Sequence, residues 1–179
     1  MEVKMEVLII IDMLNGFCRK GYPLSLPLPT KSIEKYIENR IKQTIKNKGK
    51  IIFLCDSHEL IDPEINNPYL PHCMKNTEES EIVESLKKYI KFSTVLTKNT
   101  LSIFHKTGLE ELLETLKPDE IEISGVCTDI SDLFAIYELK IRGYKVIVNN
   151  KGVLPLEFKD QDFFLNYFEK NLGAKVIKD

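Results

Sequence analysis

Short runs of isoleucine and valine alternate along the chain with longer stretches in which apolar side chains recur every three or four residues. The runs at 7–11, 51–55, 94–97, 121–124, 145–148 and 175–177 read as strands. The stretches at 32–48, 78–90, 109–116, 129–142 and 160–172 carry Ile, Leu, Phe or Tyr at helical spacing. Apolar strands without polar alternation are buried on both faces, and helices between successive strands act as crossovers. The pattern therefore predicts an α/β fold, a parallel sheet between two helical layers. Gly49, Gly143 and Gly173 each fall between a helix and the next strand, where a left-handed residue closes the helix. No GxGxxG or Walker sequence occurs, which argues against a dinucleotide domain or a nucleotide hydrolase. The proline-marked stretches 21–30 and 59–71 read as long shaped loops over the sheet edge.

The 179 residues, 43% hydrophobic and 29% charged, fit one domain spanning 1–179. Twenty-seven acidic and 25 basic side chains leave a formal charge of -2, so neither nucleic acid nor an anionic membrane is an expected partner. The apolar run at 7–11 is too short to span a bilayer and follows no basic leader, so a cytoplasmic protein is expected. Cys18, Cys55, Cys73 and Cys127 have no CxxC spacing and read as buried inert thiols.

Ligands of an open parallel sheet bind beyond the carboxyl ends of its strands, so the residues ending the strands gain meaning. Asp12 ends the first strand, Asp56 the second and Lys98 the third, while the turn from Gly125 to Ser131 joins the fourth to a helix. That turn offers free backbone N–H groups at a helix N-terminus, suited to a nucleophile or an oxyanion. Asp56 and His58 are two apart at a strand end and can meet one metal ion if the chain turns there. His72, at the end of the proline-marked loop, would supply a third ligand. Three N/O ligands with open positions suit a catalytic or substrate-binding ion, zinc first, with iron or manganese as alternatives. Glu64 is a candidate fourth ligand whose competing reading is a solvated loop acid. His105 stands apart and has no assigned role.

These motifs, from Asp12-Met13-Leu14-Asn15-Gly16-Phe17 through Asp56-Ser57-His58, Pro71-His72-Cys73 and Lys98 to Gly125-Val126-Cys127-Thr128-Asp129-Ile130, resemble the isochorismatase-like cysteine hydrolases, especially the nicotinamidases. The resemblance covers residues 7 to about 148. It implies a three-layer α/β/α sandwich with a central, mostly parallel six-stranded sheet. It further implies an amidohydrolase converting nicotinamide, or a similar small aromatic amide, to the acid and ammonia through an acyl-enzyme. Asp12 would be the general base, Lys98 would assist the nucleophile, and the N–H groups of Cys127 and Ser131 would form an oxyanion hole. A cis peptide would join Val126 and Cys127. Asp56, His58 and His72 match the residues that hold one divalent ion in nicotinamidases, where the ion takes the pyridine nitrogen. Phe17 and Tyr69 would wall the substrate pocket. A homo-oligomer is common in the family, with the aromatic helix at 160–172 a candidate interface and packing on the sheet its competing use.

Four departures stand out: Gly16 for an aspartate, the residues around Asn76 and Glu79 for glycines, Asp132 for an apolar residue, and Ser131 for the nucleophilic cysteine. A thiol with pKa about 8.5 lies about 6 kcal/mol uphill from an aspartate at roughly 3.9, whereas an aliphatic hydroxyl that titrates like bulk water lies about 16 kcal/mol uphill. Ser131 is therefore expected to be a poor nucleophile. The chain is then an engineered Cys→Ser form of an active hydrolase, a natural enzyme using Ser131 or a metal-bound hydroxide, or a ligand-binding member without turnover. Two further alternatives are Cys127 as a relocated nucleophile and a different small substrate, such as a carbamoyl compound or isochorismate.

Overall fold

The computed structural model describes residues 4–178, so the expected span 1–179 reaches outside the described residues at both ends. Six parallel strands form one sheet in the order β3-β2-β1-β4-β5-β6: β1 (Glu6–Ile11), β2 (Lys50–Asp56), β3 (Thr94–Lys98), β4 (Glu120–Val126), β5 (Val146–Leu154) and β6 (Lys175–Ile177). Between them run α1 (Asn15–Cys18), α2 (Lys31–Lys46), α3 (Glu84–Lys87), α4 (Leu109–Leu116), α5 (Ser131–Ile141) and α6 (Gln161–Lys170). The chain winds one way from β1 to β3 and the other way from β4 to β6. The order reverses between β1 and β4, the switch point where a crevice opens at the strands' carboxyl ends.

Successive residues of β1 enter opposite layers, as the pleat requires. Val7, Ile9 and Ile11 pack with Leu113 of α4, Ile136 of α5 and Phe168 of α6, while Leu8 and Ile10 pack with Ile33, Ile37 and Ile41 of α2. These five apolar residues of β1 are fully buried, each contributing roughly 1.5–3 kcal/mol relative to exposure. On α6, Leu165 and Phe168 face the sheet and Phe163 is exposed, so packing claims one side of that aromatic helix. Among the described residues no helix is long and apolar enough to cross a membrane.

Three sequence expectations change. The helix expected at 78–90 is broken into 3-10 turns at Glu78–Ser80 and Ile90–Phe92 around the one-turn α3. Residues 81–83 instead run extended beside 13–15: Asn15 N–H donates to Glu81 O, and Val83 N–H to Met13 O. Ile82, Val83, Leu86 and Tyr89 are all buried, so they satisfy a helical spacing without forming one continuous helix. β5 continues six residues past 148, because a register shift between Ile123 and Gly125 carries the polar stretch 149–151 through a bulge. Gly143 and Gly173 are left-handed as expected, but after α2 that conformation belongs to Lys48 (φ 61°). Gly49 is needed for space: a Cβ there would lie 2.8 Å from Glu6 O and from Thr44 Cγ2.

Candidate functional site

The strand register brings the polar strand ends together. Asp56 and Lys98 are direct partners across β2 and β3, and Ile11 pairs with both Leu54 and Gly125. Gly125 permits that last approach, since its φ is +142° and a Cβ would meet Ile11 O at 2.1 Å. Asp12 then turns off β1 in the left-handed region (φ 51°), a conformation aspartate tolerates better than most residues.

Its carboxylate is the hub of the crevice. Oδ1 accepts the Asp56 N–H at 2.9 Å, and Oδ2 accepts the Ser131 hydroxyl at 3.0 Å and lies 2.8 Å from Lys98 Nζ. Lys98 also pairs with Asp56 Oδ1, and its side chain is fully buried. Residues 12, 98 and 131 therefore meet at one carboxylate.

Burial pushes the Asp12 carboxyl up to about 6, with Asp56 adding to the rise and Lys98 opposing it. For Asp56 burial also acts upward, but Lys98, His58 and His72 outweigh it and hold this carboxyl below the usual range. Burial acts to lower the Lys98 pKa, yet the two carboxylates raise it, so the ammonium keeps its charge. Burial pushes the Cys127 thiol well above its ordinary value, which removes the electrostatic basis for a relocated thiolate.

Asp56 uses its second oxygen differently. Oδ2 lies 3.6 Å from His58 Nε2 and 3.7 Å from His72 Nε2, and one ligand atom from each residue falls within 4.8 Å of the others. Tetrahedral legs of about 2.0–2.2 Å to zinc separate ligand atoms by roughly 3.5 Å, so the spacing suits such an ion. His58 is fully buried, and neither of its ring nitrogens has a hydrogen-bond partner among the described residues. A cation between the three residues would satisfy Nε2. His72 turns Nδ1 to Leu70 O at 2.8 Å, leaving Nε2 for the group. Burial would lower the His72 pKa, but Asp56 and the Leu70 carbonyl raise it, and the same anionic surroundings favour a metal cation. Glu64 is not in this group; its Oε1 accepts the Leu101 N–H at 2.6 Å.

A cavity of about 250 Å³ opens onto these groups, lined by Phe17, Tyr69, His72, Asp56, Cys127 and Ser131 among others. The Phe17 and Tyr69 rings each stand edge-on to His72 at 5.8 Å between centroids. This volume lies just below that of drug-sized ligand sites and suits a small aromatic molecule. Ser131 begins α5, so its backbone N–H has no acceptor within the helix, and the preceding Val126–Cys127 peptide is cis. Leu24, Leu101, Ile130 and Leu156 complete the apolar wall. None of these four carries chemistry of its own, and the strand-end pattern did not single them out.

Asp132 is a separate anomaly. It is fully buried, and neither carboxylate oxygen has a hydrogen-bond partner among the described residues. Burial first, then the charges of Asp12 and Asp129, push its carboxyl well above the usual range. The helix N-terminus favours the anion by only about 0.3–1 kcal/mol and does not reverse this. The native state then holds a proton that the unfolded chain releases above about pH 4, so Asp132 makes stability fall as pH rises from there through its native pKa. Asp132→Asn is expected to be more stable than wild type by over about 1 kcal/mol at pH 7.5. Thermal melts should show the two converging near pH 4; an equal difference at both pH values would contradict the assignment.

A profile described as the isochorismatase domain matches residues 6–178. An isochorismatase family protein of Bacillus subtilis (strain 168) is 29% identical over 182 residues, covering 97% of this chain and 99% of that protein. The crystal structure of a nicotinamidase from Bacillus subtilis superposes with a TM-score of 0.88 at 27% identity, covering 96% of this chain and 98% of that one. N-carbamoylsarcosine amidase from Thermoplasma acidophilum superposes with a TM-score of 0.86 at 25% identity, covering 97% and 96%.

Proposed function

The chain belongs to the isochorismatase domain family, and from that premise we propose that it is a cytoplasmic amidohydrolase converting nicotinamide, or a similarly small aromatic amide, to the acid and ammonia. The observation that carries this reading is the buried Asp12 carboxylate, which touches both the Lys98 ammonium and the Ser131 hydroxyl, and Ser131 lines an aromatic-walled cavity. Asp12 takes the Ser131 proton as Oγ bonds to the amide carbon. The N–H groups of Cys127 and Ser131 hold the developing oxyanion, and Lys98 keeps the buried carboxylate pair from repelling the negative centre. The C–N bond breaks as Asp12 returns the proton to the departing ammonia. Water then adds to the acyl carbon, giving its proton to Asp12 and thence to Ser131 Oγ, and the acid leaves. Asp56, His58 and His72 would hold one divalent ion, zinc in this reading, which supplies a Lewis acid for the ring nitrogen. Phe17 and Tyr69 enclose the ring and exclude water. The reading includes a homo-oligomer, for which exposed Phe163 and Tyr167 offer apolar surface.

Two features favour other readings. The hydroxyl at residue 131 favours a binding protein without turnover, and the similarity to N-carbamoylsarcosine amidase favours a carbamoyl substrate. Calorimetry with nicotinamide on the zinc-loaded protein, followed by an ammonia assay over a long incubation, separates them. Saturable binding with slow ammonia release is expected. Binding without product supports the non-catalytic reading, and no binding, with ammonia released from a carbamoyl compound, supports the other substrate class.

A further inference from the structure

Each histidine of the Asp56–His58–His72 group turns one ring nitrogen inward and one away. His72 Nδ1 has the Leu70 carbonyl at 2.8 Å. His58 Nδ1 faces Asp62 Oδ2 at 3.5 Å, too far for a good hydrogen bond. Asp62 is itself anchored: Oδ2 accepts the Glu59 N–H at 2.7 Å, and Oδ1 accepts from Asn99 Nδ2 at 2.7 Å. Asn99 directly follows Lys98, so this carboxylate is tied to the sheet end that carries the site.

We propose that Asp62 is the positioning residue of His58, accepting its Nδ1 proton and so presenting a bare Nε2 to the cation. The inference rests on the metal reading above. A metal-bound imidazole must give its lone pair from the inward nitrogen, which leaves the proton on the outward one. The His58 ring is sealed from water, and a buried N–H without an acceptor costs about 1–3 kcal/mol. Asp62 is the carboxylate that faces this nitrogen. A small tilt of the ring that brings Nδ1 toward the anchored carboxylate turns the 3.5 Å approach into a hydrogen bond. An anion here also makes the imidazole a stronger donor than a backbone carbonyl would, and it gives the site two carboxylates, Asp56 and Asp62, against a divalent charge.

The test is zinc affinity of the full chain, read by competition with a chromophoric chelator for wild type, Asp62→Asn and Asn99→Ala. Wild type is expected to bind one zinc, and Asp62→Asn to bind it 10–100-fold more weakly, by about the usual effect of losing such a partner. Asn99→Ala loosens the loop but keeps the carboxylate, and should stay within about threefold of wild type. An Asp62→Asn affinity within threefold of wild type, or an equal loss in Asn99→Ala, overturns the assignment while leaving the metal reading intact. Failure of wild type to bind zinc overturns both. Should Asp62→Asn not fold, the zinc-loaded wild type still decides by nitrogen-15 NMR of the imidazoles. A slowly exchanging, downfield Nδ1 proton on His58 is expected, and an unprotonated Nδ1 overturns the proposal.

Discussion

Replacing Ser131 with cysteine is expected to raise ammonia release from nicotinamide by at least about 10²-fold. In the proposed mechanism the proton travels from residue 131 to Asp12, whose carboxyl is pushed up to about 6 by burial and by Asp56. A thiol near 8.5 then lies only about 3 kcal/mol uphill, whereas an aliphatic hydroxyl, about as weak an acid as bulk water, lies roughly 13 kcal/mol uphill. The difference is about 10 kcal/mol for full ionisation. Proton transfer concerted with attack removes part of it; even if two thirds vanish, about 3 kcal/mol remains, enough for some 10²-fold. The raised Asp12 pKa makes the thiol still better matched than an ordinary aspartate would. The assay compares steady-state ammonia production by Ser131→Cys and wild type under the same zinc loading. An unchanged rate would place the reactive centre elsewhere or mean that nicotinamide is the wrong substrate.

Lys98→Met is expected to cost about 3–5 kcal/mol of stability, because it leaves two buried carboxylates without the ammonium between them. For a chain of this size that lowers the thermal midpoint by roughly 10 °C or more. The deficit should also depend on pH. Without Lys98, repulsion from Asp56 raises the Asp12 pKa further, so the native state of the variant takes up a proton that the unfolded chain releases above about pH 4. Its stability then falls as pH rises through the native pKa, and the gap to wild type should be wider at pH 8 than at pH 5. Thermal melts at both values measure this, and a variant as stable as wild type at pH 8 would contradict the buried triad.

The residues that end strands were the most legible part of the site. A parallel sheet collects its carboxyl ends on one side, so Asp12, Asp56 and Lys98 could be placed together from apolar runs alone. The same logic did not say which strands are neighbours. That β1 lies between β2 and β4 is a matter of sheet order, and it alone sets Asp12 between Lys98 and Ser131. The segment 78–90 reads as one helix because a buried stripe at helical spacing also arises where an extended stretch and short turns pack against α2. Gly49 misled because a helix can end on a left-handed Lys48 when close backbone approach claims the glycine. Asp62 sits four residues after His58 in a polar loop, and nothing in composition separates it from a solvated acid. Asp132 was visible as an odd residue after Ser131, but its burial without a partner depends on how α5 lies on the sheet.

In the proposed mechanism one crevice holds a cation and a small amide within reach of residue 131. The most direct measurement is a crystallographic map of the protein with zinc and nicotinamide, with anomalous differences collected at the zinc edge. A peak is expected between Asp56 Oδ2, His58 Nε2 and His72 Nε2, with the carboxamide carbon about 3–3.5 Å from Ser131 Oγ. A map with no ion at those three residues, or with nicotinamide bound away from Ser131, would contradict it.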